Sequence, residues 1–141
     1  MPFHQKSAIT MAAILVIVYG SYFAAMGRWL TVSPPEDIPY QPFLIAATIP
    51  LAILAAFSHV VLALINPGEA NVFDERDRRI TLRGEQVGGY VLATGVFLGI
   101  VLAMVEAPYF FVANSLLLAW VLAQVSEYLT STVLYQRGIG V

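Results

Sequence analysis

Asn71–Glu85, NVFDERDRRITLRGE, is the stretch whose reading decides the fold. It holds four of the seven basic residues (Arg76, Arg78, Arg79, Arg83) and four of the nine acidic ones, with a fifth acid, Glu69, just before it. Two long apolar segments lie on each side. A polar island between apolar runs of spanning length reads as an extramembrane turn of a multi-pass membrane protein.

Composition supports that class. The chain has 141 residues, 59% hydrophobic and 11% charged, with a mean hydropathy of +0.77. Soluble domains carry about a quarter charged residues. This much apolar surface exceeds what a small soluble core can bury, so lipid is the expected solvent for part of it. The net charge of −2 gives no footprint for nucleic acid. With no cysteine, disulfides, iron–sulfur clusters and thiolate chemistry are excluded.

Outward from the polar stretch, the spacing predicts four transmembrane helices, at about 8–30, 43–65, 86–105 and 109–135, in a single all-α domain. Ser7 is the expected cap of the first. Lys6, the apolar run and Ala24-Ala25 also imitate a signal peptide, but the run outlasts a signal core, so a retained span is expected. Tyr22, Arg28 and Trp29 suit an interfacial end. The first loop, VSPPEDIPYQP at 32–42, is proline-rich and acidic. Pro50 is expected to kink the second span, which Asn66-Pro67-Gly68 ends. Glu106-Ala107-Pro108 is too short for anything but an antiparallel hairpin of spans three and four. Tyr40 and Tyr109-Phe110-Phe111 read, with Trp29, as an interfacial belt. The polar loop at 66–85 and both termini carry the lysines and arginines. The other two loops carry none beyond Arg28 at an edge, which predicts an N-in/C-in topology.

Within the polar stretch Asn71 is the expected N-cap, with Asp74 and Glu75 in the first turn of a helix. Asp74–Arg78 and Glu75–Arg79 have the favourable i,i+4 order. Phe73 and Ile80 share a face that suits a membrane surface or a partner. This amphipathic extension is expected to continue into the third span. There Gly84, Gly88, Gly95 and Gly99 fall near one face, a ridge that admits a close neighbour in lipid. It also suits a homo-oligomer contact.

Two ionisable residues lie inside spans, His59 and Glu127, at similar depth. Such residues are costly in lipid and mark functional sites. A His59–Glu127 pair would serve as a proton relay or polar pocket; the structural alternative is a hydrogen bond that fixes helix register. His4 and His59 have no metal-ligand spacing, so neither a metal nor a cofactor is expected, and His59 alone is a poor case for haem. No nucleophile elbow, P-loop or dinucleotide fingerprint occurs.

Two local patterns resemble a group of small bacterial inner-membrane proteins with four spans. They are the opening MPFHQKSA and the segment FDERDRRITLRGEQVGGYVL, matched at Phe3, Lys6, Ser7, Asp74, Glu75, Arg76, Asp77, Ile80, Gly84, Gly89 and Tyr90. Gln5 and Thr10 depart from the pattern. The resemblance implies a bacterial inner-membrane location and transfers no catalytic residue. If both motifs are cytoplasmic, Lys6 is expected to pair with Asp74, Glu75 or Asp77, and Phe3 to pack on Phe73 or Ile80, clasping the bundle.

The functional expectation is a non-enzymatic structural or regulatory subunit. Its DERDRR loop, with Arg76 and Arg79, would dock a partner membrane protein or clasp the bundle. The alternatives are a small proton-coupled or cation transporter centred on Glu127 and His59, and an accessory subunit of a membrane redox complex.

Overall fold

The structure, a computed structural model, describes residues 3–65 and 74–137, without the side chains of residues 3–5, 59, 62 and 63. It consists of four long helices: α1 (Phe3–Leu30), α2 (Tyr40–Ile65), α3 (Glu75–Met104) and α4 (Tyr109–Arg137). A short 3₁₀ turn, Pro35–Asp37, lies between α1 and α2. Each long helix is long and apolar enough to cross a membrane. At about 1.5 Å per residue, the 30 residues of α3 span about 45 Å. That exceeds a hydrocarbon core of about 30 Å by several turns.

Three boundaries differ from the sequence expectation. The first helix starts before Ser7, which is therefore a helical residue and not a cap. The second starts at Tyr40, placing Pro42 in a first turn that needs no amide donor there. The third starts at Glu75, with Asp74 rather than Asn71 as its cap. Expectations for Asn66–Gly68, Glu69, Asn71, Phe73 and the side chains of Phe3 and His59 lie outside the described residues.

The α3–α4 connection is tight, and its geometry follows from the backbone. The Ala107 amide donates to the Leu102 carbonyl at 3.0 Å and the Glu106 amide to the Ala103 carbonyl at 3.1 Å. This is a Schellman closure. It puts Glu106 at φ 54°, a left-handed position usually given to glycine. The two helices fold back antiparallel and form the most extensive interface in the molecule. The next interfaces are α1 with α4, then α1 with α2. The extended contacts thus run α2–α1–α4–α3, with α2 and α3 as the flanks.

The glycine ridge lies inside this hairpin. A Cβ at Gly84 would stand 2.6 Å from Ser131 Oγ and 2.9 Å from the Glu127 carbonyl. One at Gly88 would stand 2.9 Å from the Ala123 carbonyl. At Gly95 and Gly99 it would collide with Ala119 and Leu116. On α4 the opposing residues Ala119, Ala123, Glu127 and Ser131 recur every fourth position, one face of a helix. Two small-residue faces therefore meet, and backbone approaches backbone. Ile80, on the same side of α3, is fully buried; the sequence reading assigns its face to a membrane surface, a partner or Phe3.

A second cluster joins α1, α2 and α4 near the other end, around Tyr19, Tyr22, Met26, Leu51, Phe110 and Val121. The Tyr19 hydroxyl meets Thr48 Oγ1 at 3.2 Å. The Tyr22 hydroxyl donates to Asn114 Oδ1 at 2.8 Å. Asn114 in turn donates to the Phe110 carbonyl at 2.8 Å. Buried hydroxyls require such partners. Tyr22 and Phe110 are thus core residues rather than interfacial ones: both are buried, and the Phe110 ring packs edge-on against Tyr40 at 5.7 Å. Tyr109, Trp29 and Phe111 are exposed.

Neighbouring glycines give a test. A Cβ at Gly89 meets nothing within 4 Å, whereas one at Gly88 meets backbone. Gly88→Ala is expected to destabilise the hairpin by about 1–3 kcal/mol, read as a lower melting temperature in detergent. Gly89→Ala is expected to leave that temperature unchanged or raised.

Candidate functional site

The candidate site is the turn that opens α3, built on Asp74. Its extended backbone (φ −89°, ψ 172°) and short carboxylate suit an N-cap. The Asp77 amide donates to Asp74 Oδ1 at 2.8 Å, and the Asp74 amide donates back to Asp77 Oδ2 at 3.4 Å. This reciprocal capping box satisfies two otherwise orphaned amides with two acids, where the helix dipole favours negative charge.

Asp77 has a second task. Its other oxygen, Oδ1, accepts the Tyr135 hydroxyl at 2.7 Å. Beside it the Arg76 guanidinium donates to the Tyr135 backbone carbonyl at 3.3 Å. That carbonyl belongs to the last turn of α4, whose acceptors have no partner within the helix. The start of α3 is therefore bonded to the end of α4 twice, by an acid to a phenol and by a cation to the negative end of a helix. Tyr135 is buried, and its hydroxyl meets a charged, half-buried acceptor.

Two sequence expectations are corrected. Asp74 spends its carboxylate on the cap rather than on Arg78. The clasp is made by Tyr135, not by Lys6. Lys6 is exposed, and its helix has extended contacts with α2 and α4 rather than with α3. Among the described residues the ion pair found is Arg79–Glu75 at 3.9 Å, with side chains 66% and 72% exposed. A pair so exposed contributes little to stability. Glu75, Arg78 and Arg79 are exposed.

Glu127 lies against the glycine ridge. Built at Gly88, a Cβ would stand 3.2 Å from Glu127 Cβ and 3.5 Å from its Oε2. Its side chain fills the notch that Gly84 and Gly88 leave. Among the described residues its carboxylate accepts no hydrogen bond. The pairing with His59 falls outside the described side chains. The helices that carry the two residues, α2 and α4, share no extended contact, although the Tyr40 and Phe110 rings meet at one end. Among the described residues no three His, Asp or Glu side chains converge as a metal site would require. At the opposite end, an open groove of about 890 Å³ lies between the 3₁₀ turn and the α3–α4 turn, with Glu36, Asp37 and Glu106 at its rim.

Tyr135 and Asn114 are the residues that sequence reasoning missed. Tyr135 continues the every-fourth-residue row of Ala119, Ala123, Glu127 and Ser131, so that row was its available signal. Asn114 lies in an apolar run, and a lone amide there calls for a buried partner. No protein-family model, no curated protein and no solved structure matches the chain.

Tyr135→Phe removes one bond to a charged acceptor and nothing else. It is expected to cost about 1–2 kcal/mol and to speed hydrogen exchange at the first amides of α3. Exchange unchanged in that turn would show that the phenol does not hold it.

Proposed function

We propose that the protein is a multi-pass protein of the bacterial inner membrane, with both termini and the 66–85 loop on the cytoplasmic side. Its role is non-enzymatic: a structural or regulatory subunit that presents the DERDRR turn to a partner membrane protein. The orientation rests on the excess of lysine and arginine at one end of the molecule. The inner-membrane location rests on the resemblance of the DERD segment.

The observation that carries the docking role is the double use of Asp77. Asp74, Asp77 and Arg76 are bonded in the cap and the clasp. The other charges of the turn, Glu75, Arg78 and Arg79, are left exposed with only a weak pair between them. A turn that served only solubility would not need its backbone fixed from both sides. Glu127 supports a second reading, proton or cation transport, because a carboxylate without a hydrogen bond inside a span is an expensive feature. Its fit into the glycine notch favours the structural role.

Affinity capture in gentle detergent tests the first reading. A partner is expected to be retained by the parent chain and by Asp37→Lys at the opposite end. It is expected to be lost on Arg79→Glu with the melting temperature unchanged. Equal capture by parent and Arg79→Glu would remove the docking role. Proton flux in proteoliposomes that Glu127→Gln abolishes would establish transport in its place.

A further inference from the structure

The outward row of α3 carries a polar ladder that neither the cap nor the hairpin uses. Arg83 Nη1 donates to Gln86 Oε1 at 3.2 Å, and Gln86 Nε2 donates to the Tyr90 hydroxyl oxygen at 3.3 Å. All three side chains are exposed, Tyr90 at 68%. They lie on the face away from Gly84 and Gly88, and farther along that row Phe97 is 64% exposed.

The partner of the arginine is the informative feature. Arginines at the edge of a span extend toward water. Arg83 is instead bonded to a glutamine one turn farther toward the apolar part of α3, which tilts back to meet it. Among the described residues it has no carboxylate partner, unlike Arg79 one turn earlier. A guanidinium at the edge of hydrocarbon costs desolvation unless an anion meets it there. Gln86 uses its carbonyl to hold Arg83 and its amide to hold Tyr90. The remaining guanidinium N–H groups and the Tyr90 hydroxyl proton are left as donors along the face that lipid covers.

We propose that Arg83, Gln86 and Tyr90 form a docking site for the headgroup phosphate of an anionic phospholipid. The site rests on the reading of α3 as a membrane span entered from its N-terminal end. Charge complementarity selects the occupant, since the row joins a free cation to an apolar surface. The acids of the DERD turn do not oppose it. Asp74 and Asp77 are turned into the cap and the clasp, and Glu75 faces Arg79. The planar guanidinium suits a phosphodiester better than an ammonium would.

The test uses the full chain taken from vesicles of equal phosphatidylglycerol and phosphatidylcholine, with retained lipid counted by native mass spectrometry. The parent is expected to retain phosphatidylglycerol selectively. Arg83→Gln is expected to lower that retention about fivefold, the effect of one basic residue at an anionic surface. Arg83→Lys is expected to be intermediate and Tyr90→Phe to lose part of the selectivity. Arg78→Gln, which removes the same charge from outside the ladder, is expected to retain lipid as the parent does. Equal retention of the two lipids by the parent would overturn the site. So would equal losses in Arg78→Gln and Arg83→Gln, displacement of lipid by millimolar inorganic phosphate, or an Arg83→Gln effect on self-association alone. Flotation with vesicles in alkaline carbonate separates the two claims. A chain that floats but shows no headgroup preference contradicts only the lipid site, and one that does not float contradicts the membrane reading beneath it.

Discussion

The close approach of α3 and α4 along Gly84, Gly88, Gly95 and Gly99 is the constraint on which the rest of the structure depends. In lipid there is no hydrophobic gain from bringing two apolar helices together. Their association rests on van der Waals packing and on hydrogen bonds. Glycine allows both, since it lets the carbonyls of Glu127 and Ala123 come within van der Waals distance of the α3 backbone. The same face delivers Asp77 to Tyr135 at one end, while the Schellman closure at Glu106 fixes the other. Helix α4 then serves as the hub, with α3 on one side and α1 on the other.

Polar groups follow the same logic of satisfaction. Tyr19 with Thr48 ties α1 to α2, and Tyr22 with Asn114 ties α1 to α4. Each bond joins two helices that are already neighbours in the row, which fixes register and rotation in a way that leucine packing alone does not. Where the hairpin has no such inward polar pair, at Arg83, Gln86 and Tyr90, the polar atoms turn outward together. That contrast separates groups that hold the protein together from groups free to meet something else.

The four helices are legible in the sequence because apolar runs of spanning length leave little choice. The glycine ridge is legible because four glycines share one helical face. Its partner is legible too, since a short Glu106-Ala107-Pro108 turn forces α3 against α4. What the sequence hides is the far side of each contact. The pattern DERD reads as a helix start, but nothing in it names Tyr135, which is 58 residues away from Asp77. Lys6 looks like a suitable clasp by charge alone, yet its helix packs elsewhere. Tyr22 and Phe110 look interfacial because aromatics near span ends usually are. Their burial is decided by which helices neighbour α1 and α4, a fact of topology rather than of local composition.

Because the chain has no cysteine of its own, introduced thiols report the central contact directly. The most direct measurement is copper-catalysed cross-linking of the pair Gly99→Cys and Leu116→Cys in native membranes. A Cβ at 99 would meet the outer atoms of the Leu116 side chain rather than its backbone, and Leu116→Cys removes those atoms, so rapid formation of an intramolecular disulfide is expected, and none for Gly99→Cys with Ile53→Cys on α2. Failure of the 99–116 pair to close, or closure only between two chains, would contradict the hairpin as the frame of the protein.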